Sequence, residues 1–131
     1  MADDAEDNRI VIEAFLSQTN HRLTLVENGQ MALERFQEAA FDLVLMDIEM
    51  PVMDGLTATR NIRSWELIEG QPRTPIIALT AHAMKEESQR ILEAGCDFHL
   101  TKPIRKKKLL NLLHCLLKGD RLEEGADDDD A

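Results

Sequence analysis

No stretch of this 131-residue sequence stays apolar for long. None reaches the ~18 residues that suggest a membrane span, and no basic-then-apolar leader opens the chain. The expectation is a soluble, cytoplasmic protein with no membrane partner. Cysteine is scarce: Cys96 and Cys115 are the whole supply. They have no metal-type spacing and are too few for a disulfide framework, so they read as buried free thiols. Positive charge is not in surplus either. The net charge is -10, and nothing offers the basic face that nucleic acid requires. There is no internal repeat, helix-turn-helix, kinase core or second domain.

What is present is a sizeable core, at 44% hydrophobic residues, and a length that suits one domain. The acidity is local. Asp3, Asp4, Glu6 and Asp7 crowd the start, and Glu123, Glu124 and Asp127 to Asp130 crowd the end. Residues 8–120 between them hold 15 acidic and 14 basic residues and are nearly neutral. The expected organisation is a domain over residues 1–118 and an acidic, flexible tail over 119–131.

Helical spacing of apolar residues predicts helices over 7–18, 29–38, 56–69, 83–95 and 104–118. The alternating RLTLV of residues 22–26 predicts a strand. DLVLM at 42–46 and PIIAL at 75–79 are short continuous apolar runs, as in strands buried on both faces of a parallel sheet. DFHL at 97–100 predicts a last, short strand. Pro51 and Asp54-Gly55 make a loop and turn after the first of these runs. Helix and strand alternate throughout, which means a three-layer α/β domain with a mostly parallel sheet. Five helices but only four strands are counted. The missing strand belongs before the first helix.

Ligands of such sheets sit outside the carboxyl ends of the strands. Asp47 follows one apolar run, Thr80 another, and Lys102 follows the last strand. Asp3 and Asp4 stand where the missing strand should end. Three clustered carboxylates repel unless a cation joins them. Oxygen ligands suit Mg²⁺, which keeps several waters and takes phosphate oxygens. A carboxylate beside Mg²⁺ can attack phosphorus, giving an aspartyl phosphate. Lys102 and the Thr80 hydroxyl then supply donors to the transferring oxygens. Asp54 belongs to the turn.

LVLMDIEMPVMDG, PIIALTAHAM and AGCDFHLTKPI together resemble the receiver domains of two-component response regulators, most closely those attached to hybrid sensor histidine kinases. The resemblance covers about residues 2–117. It implies the flavodoxin-like fold, with a sheet of order 2-1-3-4-5. It implies Asp47 as phosphoacceptor, and Asp3, Asp4, Asp47 and the Glu49 backbone carbonyl as the Mg²⁺ ligands. Thr80 is implied as the switch hydroxyl, Lys102 as its charged companion, and Pro103 as the second residue of a cis Lys-Pro bond. Gly55 has a structural place in the turn. The aromatic switch position, three residues before the lysine, is usually Tyr or Phe; here it is His99, with Phe98 beside it. The implied partners are a sensor histidine kinase or a histidine phosphotransfer domain. Such a domain modifies itself and has no separate turnover substrate.

One departure is large. The family's first strand brings several apolar residues into the middle of the sheet, and here Met1 and Ala2 are all that remain. Losing about four or five buried side chains, at roughly 1.5–3 kcal/mol each, removes on the order of 10 kcal/mol. That rivals the whole stability of a domain, about 5–15 kcal/mol. It also leaves Asp3 and Asp4 with nothing upstream to fix them. The expectation is a shortened form, a rearranged sheet in which another strand fills the gap, or a homodimer built by strand exchange. Two readings compete with the phosphoacceptor: a non-phosphorylated interaction or dimerisation domain that has lost its metal site, and a Mg²⁺-dependent phosphatase. The run Arg105-Lys106-Lys107-Lys108 reads as a solvated helix start or a docking rim for acidic partners. The leucines behind it exceed what one core-facing side needs.

Overall fold

The structure is a computed structural model and describes residues 1–82 and 84–118. The acidic tail of residues 119–131 lies outside the described residues. Helix α1 spans Glu6–Leu16 and α2 spans Gly29–Glu38. Strand β1 follows at Val44–Asp47, then α3 at Gly55–Glu69 and β2 at Ile76–Thr80. Helix α4 covers Lys85–Ala94, β3 Phe98–Thr101 and α5 Lys106–Lys118. The Asn28 side chain caps α2 by accepting from the Met31 N–H at 2.9 Å, and Asp54 caps α3 through the Thr57 N–H at 2.8 Å. Such caps satisfy backbone donors left open at a helix start. Gly70 and Gly95 close α3 and α4 at φ values of 65° and 110°, where a side chain would be strained.

The three strands pair in parallel in the order β1-β2-β3. The expected first strand survives as a fragment. Ala2 bridges in parallel to Val26 on one side and to Met46 on the other. Counted with this fragment and the Val26 segment, the spatial order is 2-1-3-4-5. Among the described residues it is Ala2 that fills the central position, between Val26 and Met46. The strand expected over 22–26 is reduced to the bridge at Val26.

Strand residues alternate between two cores. Met46, Ile76 and Ala78 face Phe36, Leu56, Ile62 and Ile91 from α2, α3 and α4. Leu45, Ile77, Leu79 and Leu100 face Ile12, Leu16, Leu109 and Leu113 from α1 and α5. β2 is buried along its whole length. Of the α5 leucines, Leu109, Leu112 and Leu113 are buried, while Leu110, Leu116 and Leu117 pack half-buried against the same core. Cys96 is buried and Cys115 only half-buried, and neither forms a disulfide. Cys115 thus departs from the expected burial, because it sits on the flank of α5. The Cys96 thiol lies 3.7 Å from the Thr59 hydroxyl, and burial raises its pKa.

The amino-terminal side of β2 and β3 is tied by ions. Arg63 of α3 donates to Glu66, to the Thr74 and Gly95 carbonyls and to Asp97, all at 2.8–2.9 Å. Asp97 also accepts from Arg73 and from the Ile76 N–H, and Glu66 accepts from the Thr74 N–H. Glu66 is buried, so its charge depends on these partners.

Candidate phosphoacceptor site

The carboxyl ends of β1, β2 and β3 gather the expected residues. Asp47 is the last residue of β1 and is buried. Its Oδ2 accepts from Lys102 Nζ at 3.0 Å, and its Oδ1 accepts from the Glu49 N–H at 3.3 Å. Gly55 fits close behind it: a Cβ there would drive into the Asp47 carbonyl. The Gly55 N–H donates to the Ile48 carbonyl at 3.2 Å. Only glycine lets α3 begin this near the strand end.

Asp3 is fully buried, although only two residues precede it. Backbone pairing and α1 fix it in place. Its N–H donates to the Val26 carbonyl at 3.1 Å, and its Oδ1 accepts from the Ala5 N–H at 2.9 Å. Asn8 donates to its Oδ2 at 3.2 Å, and Arg9 to its carbonyl at 2.7 Å. Asn8 and Arg9 went unread in the sequence. Their sole signal was their position one helical turn beyond the acidic pair. Asp4 is exposed, and one carboxylate oxygen from each of Asp3, Asp4 and Asp47 lies within 4.8 Å of the others.

The electrostatics follow from this crowding. Burial pushes the Asp47 carboxyl up to about 6, and the Asp3 charge adds to the rise; the Lys102 hydrogen bond and the Glu49 N–H work against it. For Lys102, burial pulls downward, but the Asp47 hydrogen bond and the Asp47 and Asp3 charges outweigh it and hold the amine above its ordinary value. Lys102 Nζ also lies 3.5 Å from Asp3 Oδ2. One lysine thus stands against three carboxylates. That donor set, hard oxygens in excess of the local positive charge, fits a divalent cation such as Mg²⁺.

Thr80 ends β2 and is buried. Its hydroxyl donates to the His82 carbonyl at 2.9 Å and accepts from the His82 N–H at 3.1 Å, a tight local turn. The Lys102 N–H donates to the Thr80 carbonyl at 2.7 Å, which binds the two strand ends together. The Lys102–Pro103 peptide bond is cis. Phe98 and His99 both lie exposed on β3. Glu49 is exposed in the loop after Asp47.

A parallel sheet whose strand ends carry an acidic cleft closed by a lysine defines a class: α/β domains that receive a phosphoryl group on aspartate. The chain belongs to the response regulator receiver domain family, whose model matches residues 1–114. It is 43% identical over 111 residues to the sensor protein GacS of Pseudomonas syringae pv. syringae, covering 85% of this chain and 12% of that protein. It is 41% identical over 111 residues to the histidine-protein kinase BarA of Escherichia coli K12, with coverage of 85% and 12%. The chain thus spans about an eighth of the curated relatives it matches.

Solved structures agree. The receiver domain of the sensor histidine kinase PA1611 from Pseudomonas aeruginosa, with a magnesium ion coordinated in its active-site cleft, superposes with a TM-score of 0.78 at 37% identity. Coverage is 89% of this chain and 93% of that one. The receiver domain of Ssk1 from Saccharomyces cerevisiae, crystallised with the histidine phosphotransfer protein Ypd1, gives a TM-score of 0.87 at 26% identity, covering 95% and 92%.

Proposed function

We propose that this chain accepts a phosphoryl group on Asp47 from a phosphohistidine, carried by a sensor histidine kinase or a histidine phosphotransfer domain in the cytoplasm. The observation that carries the reading is the buried Asp47 carboxylate, bonded to Lys102 and flanked by Asp3 and Asp4. An Asp47 Oδ atom attacks the phosphorus. The P–N bond breaks, and the imidazole nitrogen keeps the electron pair. Asp3, Asp4, Asp47 and the Glu49 carbonyl would hold Mg²⁺. When bound, that ion supplies positive charge to the transferring oxygens.

Lys102 gives up its bond to Asp47 Oδ2 and turns its ammonium to the incoming phosphoryl group. Thr80 leaves the His82 carbonyl and donates to the same group. The cost of breaking the His82 turn couples phosphorylation to the loop between β2 and α4. Phe98 and His99, on β3 opposite Ile77 and Ala78 of β2, are the surface positions assigned to report the change.

Intact-mass analysis after incubation with acetyl phosphate and Mg²⁺ tests this. A single phosphoryl adduct is expected, lost in Asp47→Asn and without Mg²⁺. A folded protein that forms no adduct would refute the reading and leave a binding domain without phosphotransfer.

A further inference from the structure

Basic residues are spread singly along the chain, with one exception. Only at Arg105-Lys106-Lys107-Lys108 do they stand side by side. All four are exposed, at the turn from β3 into α5. The first turn of α5 holds no acidic residue to offset them. Arg105 and Lys108, three positions apart, line one cleft of about 240 Å³ together with Thr101, Lys102, Pro103 and Ile104. From this rim Lys107, Asn111 and His114 follow one another at helical spacing. They lie on the side of α5 opposite the buried Leu109, Leu112 and Leu113. Arg105, Lys107 and Lys108 are already engaged in contacts, but a lysine offers three donors and an arginine five, so one partner exhausts neither.

The matching charge lies in the same chain. Glu123, Glu124 and Asp127 to Asp130 put six carboxylates within eight residues, the densest acidic stretch of the sequence. Distance fits as well as charge. From Lys106 to Lys118 α5 rises about 18 Å, at about 1.5 Å per residue. Asp127 to Asp130 stand 9–12 residues beyond Lys118. A flexible stretch of that length spans about 15–21 Å r.m.s.. A tethered ligand gains most when its r.m.s. reach equals the distance to its site, and its effective concentration is then in the mM range. A separate acidic partner has to supply that concentration from solution.

We infer that the basic rim at the start of α5 is a docking surface and that its occupant is the chain's own acidic segment. Residues 123–130 run back along the Lys107–His114 side of α5 and set Asp127 to Asp130 against Arg105 to Lys108. Each exposed pair contributes little alone; several at once, held at high effective concentration, make the contact, and salt weakens it. The segment thereby screens the β3–α5 turn from other acidic polypeptides, which must displace it to bind. The inference stands apart from phosphoryl transfer at Asp47, and its test needs no phosphodonor.

The test uses the 131-residue protein and a carbodiimide, which condenses a lysine amine with a touching carboxylate to an amide and takes up the water lost. Peptide mapping is expected to show links from Lys106, Lys107 or Lys108 to Asp127 to Asp130 within one chain in about 25 mM NaCl, and several-fold fewer in about 500 mM. The second arm adds the peptide acetyl-Glu-Glu-Gly-Ala-Asp-Asp-Asp-Asp-amide in trans. It is expected to bind a variant carrying Glu123→Gln, Glu124→Gln and Asp127→Asn to Asp130→Asn about tenfold more tightly than the parent, whose own segment competes. Amide shifts should map that binding to residues 105–114, and adding Lys106→Gln and Lys107→Gln should abolish it. No links, links indifferent to salt, equal peptide binding by variant and parent, or shifts on another face would overturn the inference. So would links found only between chains, because a second copy would then be the occupant.

Discussion

Replacing Asp47 by Asn should make this protein more stable, although it deletes the proposed phosphoacceptor. Burial and the Asp3 charge raise the Asp47 carboxyl from 3.8 to about 6 in the folded state. Between those values the folded chain holds a proton that the unfolded chain has released. Stability therefore falls as pH rises through this window, and the loss is complete above about pH 6. A rise of about two units at 1.36 kcal/mol each is about 3 kcal/mol. The Lys102 hydrogen bond is already counted in that net shift, but an Asn amide facing the ammonium recovers less than a protonated carboxyl would. A gain of about 2 kcal/mol, or about 6–10 °C in Tm, is the expected result for Asp47→Asn at pH 7.5 without divalent metal. At pH 4 the two proteins should melt together. The assay is thermal and urea unfolding of both at the two pH values in a chelator. Equal stability at pH 7.5, or a variant less stable than the parent there, would refute the idea that burying the ionised Asp47 carboxylate, beside the Asp3 charge, costs the fold stability.

Further outcomes follow from other contacts. Gly55→Ala places a methyl group against the Asp47 carbonyl and should cost about 2–4 kcal/mol in urea unfolding. Arg63→Ala takes the guanidinium from the buried Glu66, which keeps the Thr74 N–H, and leaves Asp97 to Arg73 and the Ile76 N–H; the buried charge without its cation should cost about 3 kcal/mol in the same assay. Burial lowers the Met1 amine to about 6, so the unfolded chain binds more protons between pH 6 and 8 and stability rises with pH there. Met1 is only half-buried, so solvent reduces the effect. N-terminal acetylation, which removes the charge, should stabilise the protein at pH 5.5 by about 1 kcal/mol and change nothing at pH 9, by thermal melting.

Much of this was legible in the sequence because it is local. The apolar runs of β1 and β2, the helical spacing of α2 and α5 and the cap at Gly95 are each decided within a few residues. Asp47 and Lys102 could be placed together because strand ends of a parallel sheet share one edge. The 22–26 segment misled. Its alternation is real, but a strand exists only with a partner, and among the described residues the segment forms a single bridge, at Val26. The expectation that the shortened strand would leave Asp3 unfixed also missed its second support, since Asn8 and Arg9 hold it from α1. The Arg63 cluster was invisible for the opposite reason: its members are drawn from α3, the loop before β2 and the turn before β3, and no spacing announces them.

That cluster gives the molecule a fixed end and a free end. One guanidinium joins the middle of α3 to the Gly95 cap of α4, the approach to β2 and the approach to β3. The same elements, followed upward along the sheet, end at Thr80 and Lys102. Whatever changes at the cleft is therefore anchored below, like fingers on a palm. The loops there can move while the register that sets Thr80 opposite Thr101 is held from the other end.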